Sequence, residues 1–238
     1  LESVNGITLQ VVDPRHILGE QINTSEGRDS EMIFAVRRNG ASNDVWMMNI
    51  ENPESAEMIL ESPDGTWWGA ADFSADNERL LIINYVSAAD SRIHLLERAS
   101  GTLRMIAGDP ENPSSNSPLA FDREGKGFYY VTDVTGEFRQ LAWKSFEEGA
   151  EPVFITADIP WHVEGGAINE ERTRAAFTVN ENGFSQLYLM DLSTNDYRPV
   201  NAIPTGLVGG LEFSPDSTKL GMTLNTSQTP SDSFVLAL

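Results

Sequence analysis

Gly210-Leu-Glu-Phe-Ser-Pro-Asp-Ser-Thr-Lys-Leu-Gly-Met-Thr-Leu-Asn225, joined by a polar loop to Ser233-Phe-Val-Leu-Ala-Leu238, contains three short apolar runs separated by turn-forming residues. The first run ends at Phe213, and Ser214-Pro-Asp-Ser217 follows; proline presets one backbone angle there, and the short polar side chains bond their own backbone. Leu220, Met222 and Leu224 then alternate with small or polar residues, the period of a strand with one buried face. Such short runs, bounded by Pro, Asp, Ser and Asn, predict three antiparallel strands.

The same unit recurs upstream. Phe73-Ser-Ala-Asp-Asn-Glu-Arg-Leu80, Phe121-Asp-Arg-Glu-Gly-Lys-Gly-Phe128, Ile168-Asn-Glu-Glu-Arg-Thr-Arg-Ala175 and Phe213-Ser-Pro-Asp-Ser-Thr-Lys-Leu220 align without gaps, with starts spaced by 48, 47 and 45 residues. In each, the apolar first position ends one strand, the polar centre turns, and a second strand follows at 80–85, 128–131, 175–179 or 220–224. Third strands are predicted at 93–96, 141–143, 187–190 and 234–238, and more polar fourth strands at 103–106, 153–156 and 197–200. Four antiparallel strands in a repeat of about 45 residues make a propeller blade. A less regular first unit places strands at 22–25, 32–36, 45–50 and 58–60.

The predicted fold class is therefore all-β, a single β-propeller domain of about five four-stranded antiparallel blades, either closed or an arc of a larger ring. The repeats span approximately residues 22–66, 67–114, 115–160, 161–204 and 205–238. Residues 7–12, Ile-Thr-Leu-Gln-Val-Val, read as one further strand. That strand either supplies the fourth strand missing from the last blade or belongs to a blade before the first.

Composition narrows the function classes. Lys and Arg number 16 against 36 Asp and Glu, a formal charge of −20. A field of that sign repels phosphate backbones and anionic lipids, so nucleic-acid binding is not expected. No apolar run approaches the roughly 20 residues of a membrane-crossing helix, so no membrane insertion is expected either. The opening Leu1-Glu-Ser-Val lacks a basic-then-apolar layout; it predicts a soluble chain without a targeting segment and does not separate periplasm from cytoplasm. Cysteine is absent, which removes disulfides and thiolate metal sites, and no other metal-ligand or cofactor-binding spacing occurs, so no metal or cofactor is expected.

Candidate chemistry is sparse. His16, His94 and His162 are far apart, and Gly183-Phe-Ser-Gln-Leu187 lacks the second glycine of a nucleophile elbow, so it reads as a loop between strands. The pairs Glu147-Glu148 and Glu170-Glu171 fall in turns, where solvated charge is the default over paired acid and base. No catalytic residue is assigned. More informative are Trp67 and Trp68, which precede Phe73 by six and five residues, and Trp161 and His162, which precede Ile168 by seven and six. The repeat puts both pairs where the chain enters an innermost strand, near the channel mouth. They either pack between neighbouring blades or form a rim that contacts a peptide or partner domain.

The final octet, with Ser227-Gln-Thr-Pro-Ser-Asp-Ser-Phe-Val-Leu-Ala-Leu238 after it, resembles the last propeller blade of prolyl oligopeptidase-family serine peptidases, including dipeptidyl- and acylaminoacyl-peptidase-like members. Asp133-Val-Thr-Gly-Glu-Phe-Arg-Gln-Leu141 and Asn182-Gly-Phe-Ser-Gln-Leu-Tyr-Leu-Met-Asp-Leu192 resemble that family's blades too, and periplasmic Tol-system propellers share the style of repeat. The resemblance implies a non-catalytic propeller that gates peptide access to a C-terminal α/β-hydrolase domain, its partner, which alone carries the Ser, Asp and His. No residue of this chain corresponds to those three. Family propellers usually have more blades than the five counted here, which implies an excised or truncated one. A stand-alone Tol-like protein-binding scaffold is the alternative, and a five-bladed glycosidase the third reading.

Overall fold

The computed structural model describes residues 25–26, 31–38, 42–201 and 203–238. The predicted strand at 7–12 lies outside the described residues. Every described element is a strand, and consecutive strands pair antiparallel to form meandering sheets. The chain divides into two compact units after Pro110.

The first unit holds two sheets. One runs β1 (Ser25–Glu26), β2 (Glu31–Arg38), β3 (Ser42–Asn49), β4 (Asn52–Leu60); the next runs β5 (Trp67–Phe73), β6 (Arg79–Ser87), β7 (Asp90–Glu97), β8 (Thr102–Ala107). Val45 and Met47 on β3 meet Trp68, Ala70 and Phe73 on β5 and Leu80 and Ile82 on β6 in one buried cluster. Removing such side chains from water contributes about 1.5–3 kcal/mol each. At the edge of this contact Arg98 donates to both carboxylate oxygens of Glu31, at 3.0 and 3.1 Å, and to the Asn77 carbonyl at 2.6 Å.

The second unit holds three sheets: β9 (Asn116–Phe121), β10 (Gly127–Thr132), β11 (Gln140–Ser145), β12 (Val153–Phe154); then β13 (His162–Ile168), β14 (Arg174–Glu181), β15 (Phe184–Asp191), β16 (Tyr197–Pro199); then β17 (Leu207–Phe213), β18 (Lys219–Asn225), β19 (Asp232–Ala237). The middle sheet is buried on both faces, and β14 shows how. Ala175, Phe177 and Val179 join Tyr129, Val131 and Leu141 of the preceding sheet, while Ala176 joins Val208, Leu220, Met222 and Leu224 of the following one. Side chains alternating between two cores explain the unbroken apolar run Ala175-Ala176-Phe177.

The four octets are one structure repeated. First and last positions pair across the hairpin as Phe73 with Leu80, Phe121 with Phe128, Ile168 with Ala175 and Phe213 with Leu220. The fifth position is left-handed every time: Asn77, Gly125, Arg172 and Ser217 have φ of 59°, 66°, 54° and 56°. Its N–H donates to the carbonyl of the second position, closing a tight turn. The second position, Ser, Asp, Asn or Ser, accepts the N–H of the next strand through its side chain, as in Lys219 N–H to Ser214 Oγ at 3.0 Å and Arg174 N–H to Asn169 Oδ1 at 2.8 Å. That acceptor is why short polar residues follow the apolar one. Fully exposed Asp216, held by Ser214 and by the backbone and side chain of Thr218, has its pKa lowered to about 2.

Three sequence expectations shift. Residues 184–187 are not a loop: Asn182 and Gly183, at φ of 54° and 87°, form a two-residue turn, and Phe184 already begins β15. The fourth strand predicted at 153–156 shortens to Val153–Phe154, because the buried Thr156 hydroxyl takes the Leu141 N–H at 2.9 Å in place of a ladder bond. The first strand predicted at 22–25 is described only as Ser25–Glu26.

Candidate functional site

Within each sheet from the second to the fifth, the end at which the first strand starts is here called that sheet's opening end, and the strand runs from it towards its octet turn. These strands, β5, β9, β13 and β17, each carry a bulge against the second strand. A bulge leaves a residue unpaired and reverses which face the following side chains occupy.

In the first unit Trp67 and Trp68 open β5 and point to different surroundings. Trp68 is 3% exposed and packs in the cluster with Val45 and Met47. Its indole N–H donates to Asp64 Oδ1 at 2.9 Å, and the Thr66 N–H and hydroxyl donate to the same oxygen at 3.0 and 2.6 Å. Partial burial would raise the Asp64 pKa, but these bonds outweigh it and hold the carboxyl below its ordinary value. Asn84, 1% exposed, donates to the Thr66 hydroxyl and closes the network. The His94 ring lies 4.8 Å from that of Trp68, and its buried Nδ1 has no hydrogen-bond partner among the described residues. Trp67 is half-buried; its ring lies so close over Gly69 that a Cβ there would come 2.2 Å from Cη2.

In the second unit Trp161 is half-buried against the cluster of Tyr129, Ile159 and Val163, while His162, the first residue of β13, is exposed. The loop between β10 and β11 reaches them. Phe138 meets the His162 ring edge-on at 5.4 Å and the Trp161 ring at 6.5 Å. The Arg139 N–H donates to His162 Nδ1 at 3.2 Å, and the Arg139 carbonyl accepts the Val163 N–H at 2.9 Å.

The structure thus turns Trp68 into a core and leaves Trp67 half-buried, and it places Trp67 and Trp68 in one unit and Trp161 and His162 in the other. Among the described residues no serine hydroxyl bonds to His94 or His162. Glu147, Glu148, Glu170 and Glu171 are exposed in loops, and no three His, Asp or Glu side chains gather as a metal would require among the described residues. No described helix is long and apolar enough to cross a membrane.

Sequence reading missed Phe138, Glu164, Phe184 and Leu207. Phe184 and Leu207 are 50% and 49% exposed at the opening end, on strands whose neighbouring backbones are joined by the Ser185 N–H donating to the Gly206 carbonyl at 2.9 Å. Glu164 sits in the β13 bulge, and its carboxylate accepts from Asn180 Nδ2 at 3.0 Å and Ser185 Oγ at 3.3 Å. A charge in the otherwise uncharged run His162-Val-Glu-Gly-Gly-Ala-Ile168 was the available signal.

Superposition on solved structures matches these sheets over nearly the whole chain. A prolyl endopeptidase is similar with a TM-score of 0.71 and 11% identity, over 91% of this chain and 33% of that one. TolB from Acinetobacter baumannii is similar with a TM-score of 0.70 and 14% identity, over 91% and 52%. The fold is a β-propeller. Prolyl oligopeptidase B from Galerina marginata, bound to a 35mer hydrolysis and macrocyclization substrate, is similar at 0.70 and 11% identity, over 90% of this chain and 31% of that one. The chain thus spans a third to a half of these propeller-containing chains. No family model matches it. By sequence it is 32% identical over 127 residues to O-methyltransferase bik3 of Gibberella fujikuroi, covering 52% of this chain and 27% of that protein.

Proposed function

We propose that these blades are the non-catalytic propeller of a serine peptidase of the prolyl oligopeptidase kind, governing which peptides reach a hydrolase domain. The observation that carries this reading is the match of the sheets to prolyl endopeptidases over 91% of the chain. In the second unit, the opening ends of the described blades carry aromatic and carboxylate side chains without a serine–histidine pair. A propeller of this kind works by positioning and exclusion, so its polar groups are held by one another, as Asp64 and Glu164 are.

The test has two arms. A fluorophosphonate probe should leave this chain unlabelled, and a labelled serine would overturn the reading. In the parent protein, deleting the blades should let long polypeptides be cleaved while short peptides are still cut; unchanged size selectivity would count against gating. The second reading, a TolB-like protein-binding scaffold, is favoured by the TM-score of 0.70 to TolB. It predicts that affinity capture recovers a stoichiometric partner that is not a hydrolase.

A further inference from the structure

The outer side of β19 is built like the inside of a blade. In the preceding sheet, β15 bonds its fourth strand through alternate residues: the Asp191 N–H donates to the Asp196 carbonyl at 2.9 Å, and the Leu187 carbonyl accepts the Val200 N–H at 2.8 Å. β19 holds the corresponding register, with Leu236 opposite Leu220 as Met190 is opposite Ala175. The Leu238 N–H donates to the Thr218 carbonyl at 2.9 Å, which fixes the alternation along β19. The N–H and C=O groups of Ser233, Val235 and Ala237 therefore point outward. Among the described residues no strand meets them.

The other outer strands are guarded against pairing. β12 and β16 are only two and three residues long, and β16 contains Arg198 and Pro199. β4 carries Pro53, Glu54 and Glu57, and β8 carries Arg104. Short length, charge and proline all blunt a sheet edge. β19 has none of these from Ser233 to Ala237, and Phe234 and Val235 are 45% and 69% exposed.

Such an edge takes an antiparallel strand of small and apolar residues, and β19 is itself one. A two-fold axis at Val235 sets that residue against Val235 of a second copy and Ser233 against Ala237, leaving no outward backbone group of these residues unpaired. Phe234 then lies opposite Leu236 of the second copy, on the side of the sheet that faces the core with Leu220 and Met222. A groove of about 730 Å³ opens there beside β16, lined by Leu189, Val200, Leu236 and Leu238. The same axis brings Asp232 opposite Leu238, and Arg198 lines the groove with Leu238. Asp232 and Arg198 are both exposed, and neither has an ion pair or side-chain hydrogen bond among the described residues. Each copy thus offers the charge that the other lacks.

We propose that two copies of this chain associate by antiparallel pairing of their β19 strands about a two-fold axis at Val235, with Asp232 of each copy on Arg198 of the other. The charge of −20 on each chain opposes association, so the dimer is of the weak, small-interface kind. This pairing does not depend on the peptidase reading.

Sedimentation velocity over a concentration series of the 238-residue chain tests it. At about 100 μM the wild type should sediment mainly as a dimer and should dissociate on dilution. Val235→Lys and Val235→Pro change an exposed residue whose N–H makes no bond within its own sheet, so the fold should persist and only monomer should remain. Asp232→Arg and Arg198→Asp should each weaken association about tenfold by setting like charges together, and the double variant should recover it. The two single changes move the net charge in opposite directions, so weakening by both cannot come from overall charge. A wild type that stays monomeric at about 100 μM would overturn the proposal. So would a Val235→Lys dimer, or a double variant that fails to recover. Amide exchange read by NMR separates the remaining case: the Ser233, Val235 and Ala237 N–H groups should be protected in the dimer and lose protection on dilution. Protection of these groups in a monomer would assign the edge to another strand of the same chain and refute pairing between copies.

Discussion

Acidification should loosen the first unit through one residue, His94. Its imidazole lies on β7 between Ile82 of β6 and Met105 of β8, against the Trp68 ring. Burial and then the nearby Arg92 charge depress its pKa from 6.5 to about 4, against a smaller opposing pull from Asp64. The unfolded chain therefore binds a proton near pH 6.5 that the folded chain refuses until about pH 4, so stability falls as pH drops through that window. At pH 5 the full shift corresponds to roughly 2 kcal/mol, and because the imidazole is only partly enclosed, solvent screening trims it to about 1 kcal/mol. Urea unfolding at pH 7 and pH 5 measures the loss directly. His94→Phe keeps a ring against Trp68 and removes the titration, so the variant should lose about 1 kcal/mol less than the wild type over the same interval. Equal losses in the two proteins would show that His94 is not the group responsible.

Trp68→Ala should cost about 3–5 kcal/mol by opening a cavity between the two sheets of the first unit, whereas Trp67→Ala should cost much less; equal thermal shifts would contradict their different burial. Phe177→Ala should destabilise by a similar 3–5 kcal/mol, because Phe177 is fully buried and stacks on Tyr188 at 5.1 Å, and chemical denaturation reads it. Gly183→Ala forces a Cβ into a left-handed position at φ 87° and should cost about 1–2 kcal/mol, visible as a lower Tm; an unchanged Tm would mean that the turn relaxes freely.

The octets made most of the architecture legible. An apolar residue, a short polar acceptor and a turn at constant spacing are local features, and the four hairpins built from them pair in the expected register. Less could be read where structure depends on contacts distant in sequence. Arg172 adopts a left-handed conformation that nothing about arginine foretells; its side chain donates to the Phe121 carbonyl at 2.9 Å, a bond to the neighbouring blade. Composition likewise treats Trp67 and Trp68 alike, yet strand alternation turns only Trp68 into the core between blades. Glu164 escaped notice because a bulge decides its direction, and a bulge leaves no mark in apolar periodicity.

The meander has a kinetic side. Each sheet pairs only strands that follow one another along the chain, so its ladders close over short loops and their formation needs no distant partner. A blade can therefore complete its own hydrogen bonding as soon as its stretch of about 45 residues leaves the ribosome, and then offer one finished face to the next. The open face of the youngest blade is the aggregation-prone surface during synthesis, protected in turn by the blade that follows it.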